Sequence, residues 1–91
     1  MKILQTSQFE KTLKKLHQNQ KKDLYKAINS IIRNPDIGDP KVGDLKSISV
    51  YKFKMVKQLT LLGYQYSPEN KTITLATIGS HENFYRDLKR S

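Results

Sequence analysis

The spacing of hydrophobic residues changes once along this 91-residue chain, and this change limits the available folds more than any single motif does. As far as residue 33, apolar side chains mostly recur every three or four positions, which is typical of amphipathic helices. From residue 45 onward they alternate in twos or form short β-branched runs, which is typical of strands. The sequence therefore predicts one α+β domain over residues 1–91, in which most of the helical structure precedes most of the strands.

Two helices are predicted after a short strand at residues 2–6. Residues 7–10, Ser-Gln-Phe-Glu, have the spacing of a capping box, in which the serine and glutamate side chains each accept from the other residue's backbone amide. The first helix is expected to end near residues 17–19. A second helix is predicted over about 20–33, and the Asn-Pro pair at 34–35 ends it because a residue before proline disfavours the helical conformation.

Three further strands are predicted after a proline- and glycine-containing loop at residues 34–44. In residues 49–55, the alternation places three large apolar side chains on one face and two lysines on the other. Residues 59–66 are apolar on both sides, as in a central strand, and residues 72–78 are rich in β-branched side chains. The expected architecture is an N-terminal strand, a helical hairpin packed on a mainly antiparallel four-stranded sheet, and a short C-terminal helix or tail over 82–90.

The chain carries 17 Lys and Arg against 8 Asp and Glu, a net charge of +9 that is spread over both halves. A folded surface of this kind favours polyanionic partners, and nucleic acid is the preferred one. The absence of cysteine excludes a disulfide scaffold, a thiolate zinc site and a cysteine nucleophile. The apolar runs are too short to span a membrane, and residues 1–5 lack the apolar stretch of a secretion signal. A cytoplasmic location without membrane contact is therefore expected.

Lys52 and Lys54 form the first group that could carry chemistry. A two-residue step along a strand puts both ammonium groups on one face, about 7 Å apart at the backbone. Because two positive charges this close repel each other, one lysine can act as a base. Both can also stabilise a negatively charged phosphorane. The alternative is the solvated face of an ordinary amphipathic strand. Lys57, near the following turn, is either a further phosphate contact or a solvent-exposed side chain.

His81 and Tyr85 form the second group, because residues four apart on a helix share a face. Histidine can donate a proton to a leaving 5′-oxygen near neutral pH, and tyrosine can stack on a base or orient a phosphate. The alternative is a surface histidine beside a core tyrosine. Arg86, Lys89 and Arg90 then make a basic terminus, which is either a set of phosphate contacts or a frayed tail.

No metal or cofactor site is predicted. Asp36, Asp39 and Asp44 lie in a turn-forming loop, and the rest of the chain offers no matching carboxylate–histidine set. His17 lies at a lysine-rich helix end and is treated as incidental. Because a phosphate-binding glycine loop is also absent, catalysis is expected to be independent of metals and cofactors.

The order of elements and three local motifs resemble the toxins of the RelE/ParE superfamily of bacterial type II toxin–antitoxin modules. The motifs are residues 43–45, Gly-Asp-Leu, the segment 51–54, Tyr-Lys-Phe-Lys, and the ending 78–85, Ile-Gly-Ser-His-Glu-Asn-Phe-Tyr. The resemblance covers nearly the whole chain. It implies the RelE-like microbial RNase fold and a ribosome-dependent endoribonuclease that cleaves mRNA by attack of a 2′-hydroxyl on the adjacent phosphate.

The resemblance also implies roles for single residues. Lys52 and Lys54 are similar to the paired lysines of RelE and would act as base and charge stabiliser. His81 is similar to the active-site histidine of the YafQ branch and would be the general acid, while Tyr85 would orient or stack the RNA. RelE-type enzymes place an arginine on the next strand, but residues 57–64 contain none. Lys57 or Arg86 would replace it, which favours a histidine-centred, YafQ-like site.

Three partners and two alternative functions follow from the same resemblance and charge. The expected partners are a cognate acidic antitoxin, the ribosome and mRNA. The first alternative is a ParE-like inhibitor of DNA gyrase that does not cut RNA. The second is a basic RNA-binding module that is neither catalytic nor toxic.

Overall fold

The structure is a computed structural model that describes residues 1–40 and 48–80. Its elements, in chain order, are β1 (Lys2–Gln5), α1 (Ser7–Lys15), α2 (Gln18–Arg33), β2 (Asp39–Pro40), β3 (Ser49–Met55), β4 (Gln58–Ser67) and β5 (Thr72–Ser80). The predicted terminal helix or tail over 82–90 lies outside these residues, as does the Gly-Asp-Leu motif at 43–45. In the two described ranges, no helix is long and apolar enough to cross a bilayer.

The strands form one sheet in the order β1-β5-β4-β3-β2. The last three strands make an antiparallel meander, β2 pairs antiparallel with β3, and β1 pairs parallel with β5. The α+β class and the mainly antiparallel sheet are confirmed, but the predicted number of four strands is wrong, because the described part contains five. The additional strand is β2, and only two residues of the predicted loop form it. One of them is a proline, which sheets tolerate at an edge.

Helix α1 is capped by Thr6, so the predicted capping box, which assigned the cap to Ser7, is wrong by one residue. The hydroxyl of Thr6 accepts from the Phe9 amide at 3.1 Å and donates to the carbonyl oxygen of Ala76 at 2.6 Å. The Thr6 amide also donates to the Leu75 carbonyl at 3.0 Å. An N-cap residue needs an extended backbone, and the bond to β5 holds Thr6 in that conformation.

Replacing Thr6 by valine is expected to lower the free energy of unfolding by about 1 kcal/mol, because the isosteric side chain loses the cap. Chemical denaturation of the purified chain measures this. Replacing Ser7 by alanine is the matched control, and we expect it to change the free energy of unfolding by less than about 0.5 kcal/mol because Ser7 is exposed. An equal or larger loss in the Ser7 variant would contradict the assignment of the cap.

The helical hairpin is formed as predicted, but its connection lies earlier in the chain than predicted. Helix α1 ends at Lys15 and α2 begins at Gln18, so two residues connect them. His17, treated as incidental in the sequence, is the N-cap residue of α2, and its amide donates to the Gln20 side-chain oxygen at 2.8 Å. The apolar sides of the two helices pack on one face of the sheet. The core there consists of Phe9, Leu24, Ala27, Ile31, Met55, Leu62, Tyr64, Ile73, Leu75 and Ile78.

The opposite face of the sheet carries a second, smaller cluster formed by Ile48, Val50 and Leu61, with Ala76 packed against it. Strand β4 therefore contributes buried apolar side chains to both faces, as predicted for a central strand. We call this second side the lysine face, because Lys52 and Lys54 lie on it.

The loop before β2 is anchored by a tyrosine of the core. Tyr64 is fully buried, and its hydroxyl donates to the Pro35 carbonyl at 2.6 Å and accepts from the Gly38 amide at 2.9 Å. The approach requires glycine at position 38, since a Cβ there would lie 2.7 Å from the hydroxyl oxygen. The loop is thus held against the sheet by two backbone groups that share one side-chain hydroxyl.

Candidate active site

Lys52 and Lys54 lie side by side on the face of β3 that points away from the helices, as the alternation predicts. Both are exposed. On the helix side of the same strand, the rings of Tyr51 and Phe53 stack with their centroids 6.2 Å apart and pack against the main core. Because successive side chains of a strand alternate, packing of these partly buried rings against the core fixes the direction of both lysines.

The neighbours of the lysines on β4 are two leucines. Lys52 is paired with Leu61, which is fully buried, and Lys54 with Leu59, which is 47% exposed. The lysine face therefore sets two exposed cations beside one solvent-facing apolar side chain. A phosphodiester can bind to the cations while the sugar or base of the same nucleotide contacts the leucine.

Lys57 lies in the two-residue turn that joins β3 to β4. Both residues of this turn, Val56 and Lys57, have positive φ angles, 50° and 69°. Met55 and Gln58 pair across it, so the turn has the twist of a type I′ hairpin. The exposed Lys57 side chain thus lies at the end of the hairpin nearest Lys54.

Ser80 of β5 is level with the lysine pair. Ser80 pairs with Thr60 of β4, and Thr60 pairs with Phe53, the residue between the two lysines. Two interstrand spacings separate Ser80 from Phe53, about 10 Å. The other sequence-predicted site residues follow Ser80 and lie outside the described residues: His81, Tyr85, Arg86, Lys89 and Arg90.

Strand β4 supplies no cation to the lysine face, because its sequence, Gln-Leu-Thr-Leu-Leu-Gly-Tyr-Gln-Tyr-Ser, has neither arginine nor lysine. The β4 residues paired with the two lysines are both leucines. Within residues 1–40 and 48–80, no three histidine or acidic side chains lie close enough to hold a metal ion. Asp36 and Asp39 are exposed there, and Asp44 is outside the described ranges.

One residue near the site was missed by the sequence reasoning. Asp23 of α2 accepts a hydrogen bond from the Val56 amide through Oδ2 at 2.8 Å, although 33 positions separate the two residues. The available signal was that Asp23 is the only acidic residue within Gln18–Arg33, a helix otherwise rich in lysine. Charge alone does not say which amide such a carboxylate binds.

The described chain is similar in fold to several solved structures. It resembles a chain of the intact E. coli RelBE toxin–antitoxin complex, with a TM-score of 0.69 and 20% identity over 87% of this chain and 94% of that chain. It also resembles the isolated E. coli RelE toxin, with a TM-score of 0.67 and 21% identity over 98% and 96% of the two chains. A third similar structure is the solution structure of the conserved hypothetical protein HP0892 from Helicobacter pylori, with a TM-score of 0.59 and 21% identity over 92% and 98%.

The sequence comparison gives the family. No curated protein matches the chain significantly. A family model for the ParE-like toxins of type II bacterial toxin–antitoxin systems matches residues 3–89, nearly the entire sequence. The superfamily resemblance seen in the motifs is thereby confirmed, and the chain belongs to the ParE-like toxins of type II bacterial toxin–antitoxin systems.

Proposed function

We propose that this toxin is an endoribonuclease that cleaves mRNA on the ribosome and that its lysine face binds the scissile phosphate. The observation that carries the proposal is the exposed pair Lys52 and Lys54, held on one face of β3 by the partly buried rings on the other face. Two cations at this spacing match the charge of a phosphodiester whose phosphorus gains a fifth oxygen ligand in the transition state. The site of action implies a cytoplasmic protein.

The proposed reaction uses the RNA's own nucleophile. One lysine of the pair takes the proton from a 2′-hydroxyl, and the oxygen attacks the adjacent phosphorus as the bond to the 5′-oxygen breaks. The second lysine stabilises the added negative charge on the phosphorane. The products are a 2′,3′-cyclic phosphate and a new 5′-hydroxyl, and the reaction requires no metal or cofactor.

In this proposal His81 donates the proton to the leaving 5′-oxygen and Tyr85 orients or stacks the RNA. Supporting this, Ser80, the residue before His81, lies on β5 about 10 Å from Phe53, the residue between the two lysines. The remaining proposed phosphate contacts are Lys57, Arg86, Lys89 and Arg90. They would bind the RNA backbone on either side of the cleaved bond.

The partner of a type II toxin is its antitoxin. The E. coli RelE structures with which this chain shares its fold include a complex with an antitoxin peptide. For this chain we propose an acidic antitoxin, because a net charge of +9 attracts a segment of opposite charge. Such a segment would silence the toxin by covering the lysine face.

A second candidate function is inhibition of DNA gyrase without RNA cleavage. Two observations favour it: the matching family model describes ParE-like toxins, and β4 lacks the arginine that RelE-type enzymes place there. The third possibility considered from the sequence, a non-toxic RNA-binding module, is disfavoured by membership of a toxin family.

One experiment separates the two remaining candidates. The purified chain is incubated with ribosomes stalled on a defined mRNA, and the 5′ ends of the products are mapped. In parallel, gyrase supercoiling is measured with the same preparation. We expect mapped cuts with 5′-hydroxyl ends, no cutting when His81 is replaced by alanine, and unchanged supercoiling. Inhibited gyrase with intact mRNA would overturn the proposal and establish the second candidate.

A further inference from the structure

The turn between β3 and β4 adopts a conformation that its sequence disfavours. Val56 has a φ of 50°, and a β-branched residue in the left-handed region is strained by contact between its side chain and its own backbone. Asparagine and glycine are the usual residues at this position of such a turn. Val56 is also 43% exposed, so core packing of its side chain does not explain the conformation. Another interaction must therefore hold the turn.

The bond from the Val56 amide to Asp23 is that interaction. Each of the two bonded residues is next to a residue of the buried core. Leu24, next to Asp23, and Met55, next to Val56, belong to the same buried cluster between the helices and the sheet. A hydrogen bond to a carboxylate is about twice as strong as a neutral one, so it can offset the strain of a single left-handed valine.

We propose that Asp23 is a positioning residue for Lys57, an inference that rests on the proposed function. Lys57 immediately follows Val56, and its own φ of 69° belongs to the same turn. Holding the Val56 amide fixes where the Lys57 backbone lies relative to Lys54, three residues earlier on the same hairpin. The carboxylate of α2 thereby sets the spacing between the proposed phosphate contact and the lysine pair, without itself touching the RNA.

The direction in which RNA binding changes when Asp23 is removed distinguishes positioning from simple electrostatics. Removing a negative charge from a protein that binds RNA should strengthen binding if only charge matters. If Asp23 positions Lys57, its removal should weaken binding. Replacing Asp23 by asparagine keeps an oxygen that can accept from the Val56 amide and removes the charge, so it separates the two contributions.

The test measures amide exchange and RNA binding in the full chain. In Asp23→Ala we expect the Val56 amide to exchange about ten times faster than in the native chain, and in Asp23→Asn to stay close to native. Binding of a labelled single-stranded oligouridylate is expected to weaken about threefold to tenfold in Asp23→Ala. Val56→Asn, which suits the left-handed conformation, is expected to restore most of that loss when combined with Asp23→Ala.

The comparison with Lys57→Ala decides whether the effect acts through Lys57. Adding Asp23→Ala to Lys57→Ala is expected to cause no further loss of RNA binding, since the positioned group is already absent. Two results would overturn the proposal. One is an exchange rate of the Val56 amide that Asp23→Ala leaves unchanged, and the other is an equal loss of RNA binding from Asp23→Ala in the native chain and in Lys57→Ala. Native-like RNA binding by a Lys52→Ala/Lys54→Ala variant would instead count against the proposed function. The role of Asp23 would then still be decided by the comparison with Lys57→Ala.

Discussion

Replacing Lys52 and Lys54 together by alanine is expected to lower the rate of ribosome-dependent mRNA cleavage by about two to four orders of magnitude. General base catalysis and stabilisation of the phosphorane each contribute about a hundredfold or more in well-placed sites. Both contributions depend on the side-chain amino groups of two lysines that lie on the same face of β3. The measurement is the single-turnover rate of cleavage of a defined mRNA on purified ribosomes, at saturating toxin.

The matched control for this variant is the replacement of Lys11 and Lys14 by alanine. These two lysines of α1 are also exposed, so the control lowers the net charge by the same two units at a different place on the surface. Because long-range attraction to RNA follows total charge, both variants should show a similar decrease in the rate of association with RNA at low salt. Only the Lys52→Ala/Lys54→Ala variant should cleave mRNA more slowly at saturating toxin. Equal rates for the two variants would show that the pair contributes charge and not chemistry.

Replacing Tyr64 by phenylalanine is expected to lower the free energy of unfolding by about 2–3 kcal/mol. The substitution leaves the Gly38 amide and the Pro35 carbonyl without the hydroxyl that serves both, and unsatisfied buried polar groups cost about 1–3 kcal/mol each. Denaturant unfolding at pH 8 measures the loss. Tyr25→Phe is the control, because the Tyr25 side chain is half exposed, and little change is expected there.

The same variant should also alter how stability depends on pH. Burial raises the pKa of the Tyr64 hydroxyl above its ordinary value of 10.0, and the charge of Asp36 acts in the same direction, against an opposing hydrogen bond from Gly38. Above pH 10 the unfolded chain therefore loses this proton before the folded chain does. The contribution of Tyr64 is complete below pH 10 and is lost as the pH rises through the raised pKa. The difference in stability between the native chain and Tyr64→Phe should narrow accordingly, and a constant difference would contradict this account.

Much of the fold could be predicted because its signals are local. The two-residue alternation of β3 predicted which side chains pack on the helices and which carry charge outward, since a strand with one buried face has one workable register. The ends of elements were less predictable. Thr6 and Ser7 are both good cap residues, and the choice between them was made by a bond from Thr6 to β5, which is about 70 residues away in the chain.

The candidate site, like the fold, was predictable only where its signals are local. Residue types at short spacing were enough to predict the toxin superfamily, the lysine pair and the side of β3 on which the pair lies. Three contacts could be known only from the folded chain: β1 pairs parallel with β5, Tyr64 holds the loop before β2, and Asp23 binds the turn carrying Lys57. These contacts join segments that are far apart in the chain, and their partners are backbone groups, which every residue possesses and no side-chain pattern reveals.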